Sequence, residues 1–222
     1  MFALGVIPAR YDSSRFPGKP LIDLKGKSMI QRVYEGALSC SLFNEVVVAT
    51  DDQRIFDHVK SFGGQVQMTS KDHQSGTDRC GEVLSHYPQA DLVVNIQGDE
   101  PLVDPKQLEV LIRAFENHNV DIATLGNPNL SLADLTNPNR IKLVIDKNQN
   151  ALYFSRSAIP FGAKEPQEKW IEKFPYLRHI GLYAYRSKTL AEIVTLKPAP
   201  LEVWESLEQL RWLYNGYNIQ VV

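Results

Sequence analysis

Three cations, Arg10, Arg15 and Lys19, fall within the turn-rich stretch Ile7-Pro8-Ala9-Arg10-Tyr11-Asp12-Ser13-Ser14-Arg15-Phe16-Pro17-Gly18-Lys19-Pro20-Leu21. An apolar run precedes them, so the pattern is a buried strand that opens into a cationic loop. Such a loop suits an anion, above all a polyphosphate, because guanidinium groups grip phosphate oxygens in pairs and a lysine adds a mobile point charge. Gly18 lets the backbone approach closely, while Pro8, Pro17 and Pro20 stiffen the turn. A solvated surface loop has the same composition. A second cluster, Asn95-Ile96-Gln97-Gly98-Asp99-Glu100-Pro101, ends another apolar strand in two carboxylates. Carboxylates beside a polyphosphate loop are placed to hold Mg²⁺, which takes one or two of them together with phosphate and water oxygens. The alternative is an acid-rich turn. Ser75-Gly76-Thr77-Asp78-Arg79 opens an apolar helix. Its Ser75 and Asp78 have capping-box spacing, and the same helix start, with Gly76 and Arg79, suits a ribose or phosphate. Asp51 and Asp52, after a third strand, read either as site residues or as acids favoured by a helix N-terminus.

Other chemistries are excluded. Gly18-Lys19 runs into Pro20 and opens no helix, so there is no P-loop; Gly-x-Gly-x-x-Gly and Gly-x-Ser-x-Gly are also absent. Of the five histidines, His58, His73, His86 and His118 lie in polar or helical surroundings, whereas His179 stands at a strand start beside Arg178. The net charge of -2 argues against a nucleic-acid partner. No apolar run reaches the roughly 18 residues of a membrane span, and the first residues lack the basic lead-in and length of a signal peptide. Cys40 and Cys80 are far apart in the sequence and support neither a disulfide framework nor a zinc site, which fits a reducing cytoplasm.

These residues need a scaffold. Apolar runs at 3–8, 45–50, 66–69, 91–96 and 122–125 alternate with helical patterns at 29–38, 51–62 and 105–115. Ser28 is placed to cap the first of these and Pro105 to open the last. Strand and helix in alternation predict an α/β fold, a mostly parallel sheet with helices on both faces. Such sheets bind ligands at the carboxyl ends of their strands, where the clusters above fall. After about residue 127 the pattern changes. Residues 140–146 and 151–155 read as a hairpin, 162–175 as a polar insertion, 178–185 as a strand, and 187–196 and 202–214 as helices. A final strand starts at 219. With 222 residues, 43% of them hydrophobic, the chain fits a single domain. Its nucleotide half is about 1–127 and its elaborated half about 128–222.

Taken in order, residues 7–21, 49–52, 75–79, 95–101, 153–156, 178–185 and 207–211 resemble the 3-deoxy-manno-octulosonate cytidylyltransferases, or CMP-Kdo synthetases, from Leu4 to the end of the chain. The resemblance implies a Rossmann-like nucleotidyltransferase that joins CTP to the sugar acid Kdo, giving CMP-Kdo and pyrophosphate for lipopolysaccharide synthesis. It makes Arg10, Arg15 and Lys19 the triphosphate grip, places Pro8 and Ala9 beside the cytosine, and puts Asp78 and Gln97 around the nucleotide. Asp99 becomes a Mg²⁺ ligand. Arg156, His179, Tyr183, Glu208 and Gln209 become the Kdo pocket, and residues 159–175 a homodimer contact. A sialic-acid relative is the near alternative, disfavoured by 153–156 and 178–185; a nucleotide-binding protein without catalysis is the alternative of another class. The family also carries, past its last strand, a Gly-Val-Asp segment that supplies a second metal ligand. The residues given stop before it at Val222, so the expectation is a metal site with one protein ligand and weak turnover.

Overall fold

The structure is a computed structural model that describes residues 1–12 and 16–222. Its first elements are β1 (Ala3–Ala9), α1 (Met29–Leu38), β2 (Glu45–Thr50), α2 (Gln53–Ser61), β3 (Val66–Met68) and α3 (Gly76–Leu84). Then come β4 (Leu92–Asn95), α4 (Pro105–Arg113), β5 (Ile122–Asn127), α5 (Leu132–Thr136), β6 (Lys142–Ile145) and β7 (Ala151–Ser155). The last are α6 (Trp170–Lys173), β8 (Leu177–Arg186), α7 (Ser187–Ile193), α8 (Pro200–Glu205), α9 (Gln209–Tyr214) and β9 (Ile219–Val221). The fold is mixed α/β. The chain forms two compact units, Met1–Glu116 with Leu182–Val194, and Asn117–Gly181 with Thr195–Val222.

In the first unit the strands β3, β2, β1 and β4 run parallel, and the second half of β8 adds antiparallel to β4. Val46, Val47 and Val48 are buried, as are Leu4, Val6 and Ile7 in β1. A strand buried on both faces needs such a continuous apolar run, and parallel sheets are built of these. The helices are capped as their sequences predict. Ser28 accepts from the Gln31 amide at 3.2 Å, Asp52 from Arg54, and Asp104 from Lys106, with Pro105 in the first turn of α4. Because β1, β2 and β4 are parallel, their carboxyl ends share one edge, and the chain leaves it at Arg10, Asp51 and Ile96.

In the second unit β6 and β7 form the expected antiparallel hairpin, pairing Lys142 with Ser155 and Leu143 with Phe154. The first half of β8 pairs antiparallel with β6, and β9 lies parallel to β5. Two features depart from the sequence pattern. The helix expected over 202–214 is two, α8 and α9, broken at Ser206, whose φ of 52° is left-handed. The apolar spacing is continuous there, but the carboxylate and carbonyl of Glu205 are engaged elsewhere, and a turn replaces the helix. The polar stretch at 162–175 is not loose: Trp170 and Tyr176 bury against Leu135 of α5, a helix the sequence reading passed over.

Candidate nucleotide-binding cleft

The first unit holds a cleft of about 550 Å³ whose lining includes Pro8, Ala9, Arg10, Lys19, Gly76 and Asp99. Three segments meet at Pro8, and glycines let them. A Cβ on Gly98 would stand 2.4 Å from the Pro8 carbonyl oxygen, and one on Gly76 would stand 3.3 Å from Pro8 Cγ. The loop after β4 and the start of α3 can therefore both reach the end of β1. Gly18 has φ 73°, where a side chain would be strained, and its amide donates to the Tyr11 carbonyl at 2.8 Å. The Tyr11 ring in turn carries the Arg54 guanidinium 3.2 Å from its centroid, while Arg54 chelates Asp52.

Lys19 follows Gly18 in a single 3-10 turn and points its Nζ at Asp99 Oδ2, 2.6 Å away. The two expected phosphate and metal residues are thus brought together from distant parts of the sequence. Asp99 is the one carboxylate among the described lining residues. Arg10 donates to the His73 carbonyl, and His73 contacts Glu82, which also accepts from the Ser70 amide at 2.8 Å. Burial works against the Glu82 carboxylate, but the Ser70 amide and His73 hold it below its ordinary pKa. Gln97 also lines the cleft. Arg15 lies outside the described residues.

Asp78 serves as the return arm of the α3 capping box, accepting from the Ser75 amide at 3.0 Å. Arg79 lines the cleft and is at the same time tied into the fold. Its side chain is fully buried and donates to Asp51 at 2.8 Å, to Thr69 Oγ1 and to the Ser70 carbonyl. It ties α3 to the segment after β2, which also accounts for Asp51.

The residues matched to the sugar acid divide between the units. Tyr183 belongs to the first, buried on β8 opposite Asn95 of β4 and stacked on Tyr185. The others belong to the second. His179 Nε2 lies 3.0 Å from Thr124 Oγ1, and its ring meets Phe154 edge-on. Burial pushes the imidazole down to about 3, so it is neutral at pH 7 and acts through hydrogen bonds. Gln209 is buried at the start of α9, just after Glu208. Arg156 donates to the carbonyls of Glu205, Pro138 and Ser206, at 2.6, 3.1 and 3.2 Å. Three of its five N–H groups are so engaged. The sequence reading missed Glu205 and Lys142. Neither carries a local signal: one is a helix-end acid, the other a lysine flanked by strand formers.

The chain matches the family described as Cytidylyltransferase over residues 4–219. It is 53% identical to the 3-deoxy-manno-octulosonate cytidylyltransferase of Bacteroides thetaiotaomicron, over 98% of this chain and 88% of that one. With the enzyme of the same name from Acaryochloris marina it shares 48% identity, over 100% and 88%. Among solved structures it resembles a CMP:2-keto-3-deoxy-manno-octonic acid synthetase complexed with CTP. The TM-score there is 0.93 at 46% identity, covering all of this chain and 89% of the other. A cytidylyltransferase from Leptospira borgpetersenii shares the fold at a TM-score of 0.64 and 16% identity, covering 100% and 76%.

Proposed function

We infer that this chain, which belongs to the cytidylyltransferase family, transfers CMP from CTP to 3-deoxy-manno-octulosonate (Kdo) and releases pyrophosphate. The observation that carries this reading in the chain itself is the cation–carboxylate pair of Lys19 and Asp99 at the mouth of a cleft ringed by Pro8, Ala9 and Arg10. The resemblance to a CTP-bound synthetase gives the nucleotide, and the names of the relatives give the acceptor.

The chemistry follows from the residues. The anomeric 2-hydroxyl of Kdo attacks the α-phosphorus of CTP and gives up its proton to solvent, the bond from the α-phosphorus to the bridging oxygen breaks, and pyrophosphate leaves with that oxygen. Negative charge spreads over phosphate oxygens, so the protein's contribution is positioning and neutralisation, without a covalent intermediate. Arg10 and Lys19 supply fixed positive charge, with Arg15 as a third cation. Pro8 and Ala9 flank the base, and Asp78 and Gln97 lie around the nucleotide. A triphosphate competes with Asp99 for the Lys19 ammonium, and a cation would then take the carboxylate.

We propose Mg²⁺ as that cation, with Asp99 as its protein ligand. The donor set fits: Asp99 is an oxygen ligand with 57% of its side chain exposed, and magnesium draws most of its ligands from phosphate and water. When bound, the ion neutralises phosphate charge. On the acceptor side, Arg156 supplies charge for the carboxylate of Kdo, while neutral His179, Tyr183, Glu208 and Gln209 hydrogen-bond its hydroxyls. We further propose a homodimer through residues 159–175, supported by the exposure of Phe161 and Phe174. We also propose a cytoplasmic setting, which two free buried cysteines suit, and a place in lipopolysaccharide synthesis, which the resemblance to the Kdo cytidylyltransferases implies. No helix among the described residues is long and apolar enough to cross a membrane. The test is label transfer: CTP labelled at the α-phosphorus should pass its label to Kdo. Label that stays in CTP, or emerges as free CMP, would remove the transferase reading.

A further inference from the structure

Lys142 is fully buried on β6. Its Nζ donates to the carbonyl oxygens of Asn137, Arg140 and Arg156, at 3.0, 2.7 and 2.5 Å. An ammonium has three donors and no acceptor, so these three oxygens satisfy it completely. Glu205, at the end of α8, accepts from Ser155 Oγ at 2.7 Å and from the Arg156 amide at 3.0 Å. The Arg156 guanidinium then returns to the carbonyls of Glu205 and Ser206. Arg156 is therefore held at its amide, its carbonyl and its guanidinium. Beyond Ser206, in its left-handed turn, the chain re-enters a helix through Glu208 and Gln209.

We propose that Lys142 and Glu205 are positioning residues for the sugar-acid half of the reaction, which together lock Arg156 and the Ser206 turn so that Arg156, Glu208 and Gln209 meet the acceptor in one arrangement. The proposal rests on the reading of Kdo as acceptor. Without the ammonium, three buried carbonyl oxygens converge with no donor between them. Without the Glu205 carboxylate, the Ser155 hydroxyl and the Arg156 amide lose their acceptor and the α8–α9 corner is released. Buried polar groups left without partners relax by moving. A shift of about 1 Å in a substrate-positioning group costs on the order of a hundredfold in rate. The cleft residues Arg10, Lys19 and Asp99 belong to the other unit, so the nucleotide terms should be spared.

The experiment is steady-state kinetics on the full chain for Lys142→Met, Glu205→Ala and Glu205→Gln, with melting temperatures alongside. Glutamine at 205 can still accept from the Arg156 amide and donate to Ser155. Glu205→Ala should raise the KM for Kdo ~10–100-fold with the KM for CTP within about twofold, and Glu205→Gln should restore most of the loss. Lys142→Met should show the same split; if it fails to fold, the Glu205 pair decides. Unchanged kinetics in Glu205→Ala would overturn the proposal, as would a parallel loss toward both substrates that tracks melting temperature. The product of the unmodified chain is identified first. A sugar acid other than Kdo would correct the acceptor, and the split would be read on that acid. No transfer to any sugar acid would end both the reading and the proposal.

Discussion

Gly98→Ala should cripple the enzyme through one methyl group. The added Cβ would lie 2.4 Å from the Pro8 carbonyl oxygen, below the 3.0 Å that real Cβ atoms keep from such neighbours. Pro8 cannot yield easily, since it is paired with Ala49 inside the parallel sheet. The loop must move instead, by at least about 0.6 Å and closer to 1 Å for an ordinary contact, a misplacement that costs about a hundredfold in rate. Asp99, the next residue, moves with it and leaves its 2.6 Å contact with Lys19. A hundredfold is about 2.7 kcal/mol of transition-state stabilisation. Overpacking of this kind also destabilises by roughly 1–3 kcal/mol, so the variant should fold with a lowered melting temperature. The assay is pyrophosphate release at saturating CTP, Kdo and Mg²⁺, with circular dichroism to show that the protein remains folded. A variant with wild-type kcat would refute the claim that the contact of Gly98 with β1 sets the position of the carboxylate.

Three further outcomes are expected. Lys19→Ala should fold normally and lose about 2–4 kcal/mol of transition-state stabilisation, read as kcat/KM for CTP; a near-normal value would make Lys19 an ordinary surface cation. Arg79→Met should do the reverse in kind, unfolding at much lower urea because it leaves the part-buried Asp51 unpaired, a loss on the order of 3–5 kcal/mol; unchanged stability would contradict its role as a buried tie. His179 gives a pH dependence whose sign is fixed. Its folded pKa of about 3 lies below the ordinary value of about 6.5, so the unfolded chain takes up the proton more readily. The stability from the neutral, half-buried ring is full above about pH 6.5 and is lost as pH falls toward 3, by less than the roughly 1.4 kcal/mol per unit of a fully buried group. Urea midpoints from pH 7.5 to 5 should therefore fall more steeply in the wild type than in His179→Phe, and equal slopes would count against an imidazole held neutral by the fold.

The parallel core was legible because its signals are local. Val46-Val47-Val48, β-branched throughout, reads as a doubly buried strand, and Ser28, Asp52 and the Ser75–Asp78 pair announce helix starts through hydrogen bonds to residues two or three away. The cleft was legible for a related reason: loops after parallel strands share an edge, so Arg10 and Asp99 had to leave the sheet on the same side. What escaped were interactions of long sequence separation. Nothing near Arg79 says that Asp51 will claim it, and the helix start at Ser75 accounts equally for a cap and for a ligand site. Nothing near residue 205 says that Arg156 will take its carbonyl and stop the helix at Ser206, so periodicity ran α8 and α9 together. Lys142 was invisible because an isolated lysine in a strand reads as solvent-facing until three carbonyls are seen around its ammonium.

The central claim is that the carboxylate of Asp99, opposite Lys19, organises phosphoryl transfer to the sugar acid. Its most direct test is the rate of Kdo-dependent pyrophosphate release from CTP by the wild type and by Asp99→Asn, a substitution that keeps the shape and removes the charge. The account predicts release that requires Kdo, and a loss of about a hundredfold or more in the variant while the protein still melts cooperatively. Equal rates in the two proteins, or release without Kdo, would contradict it.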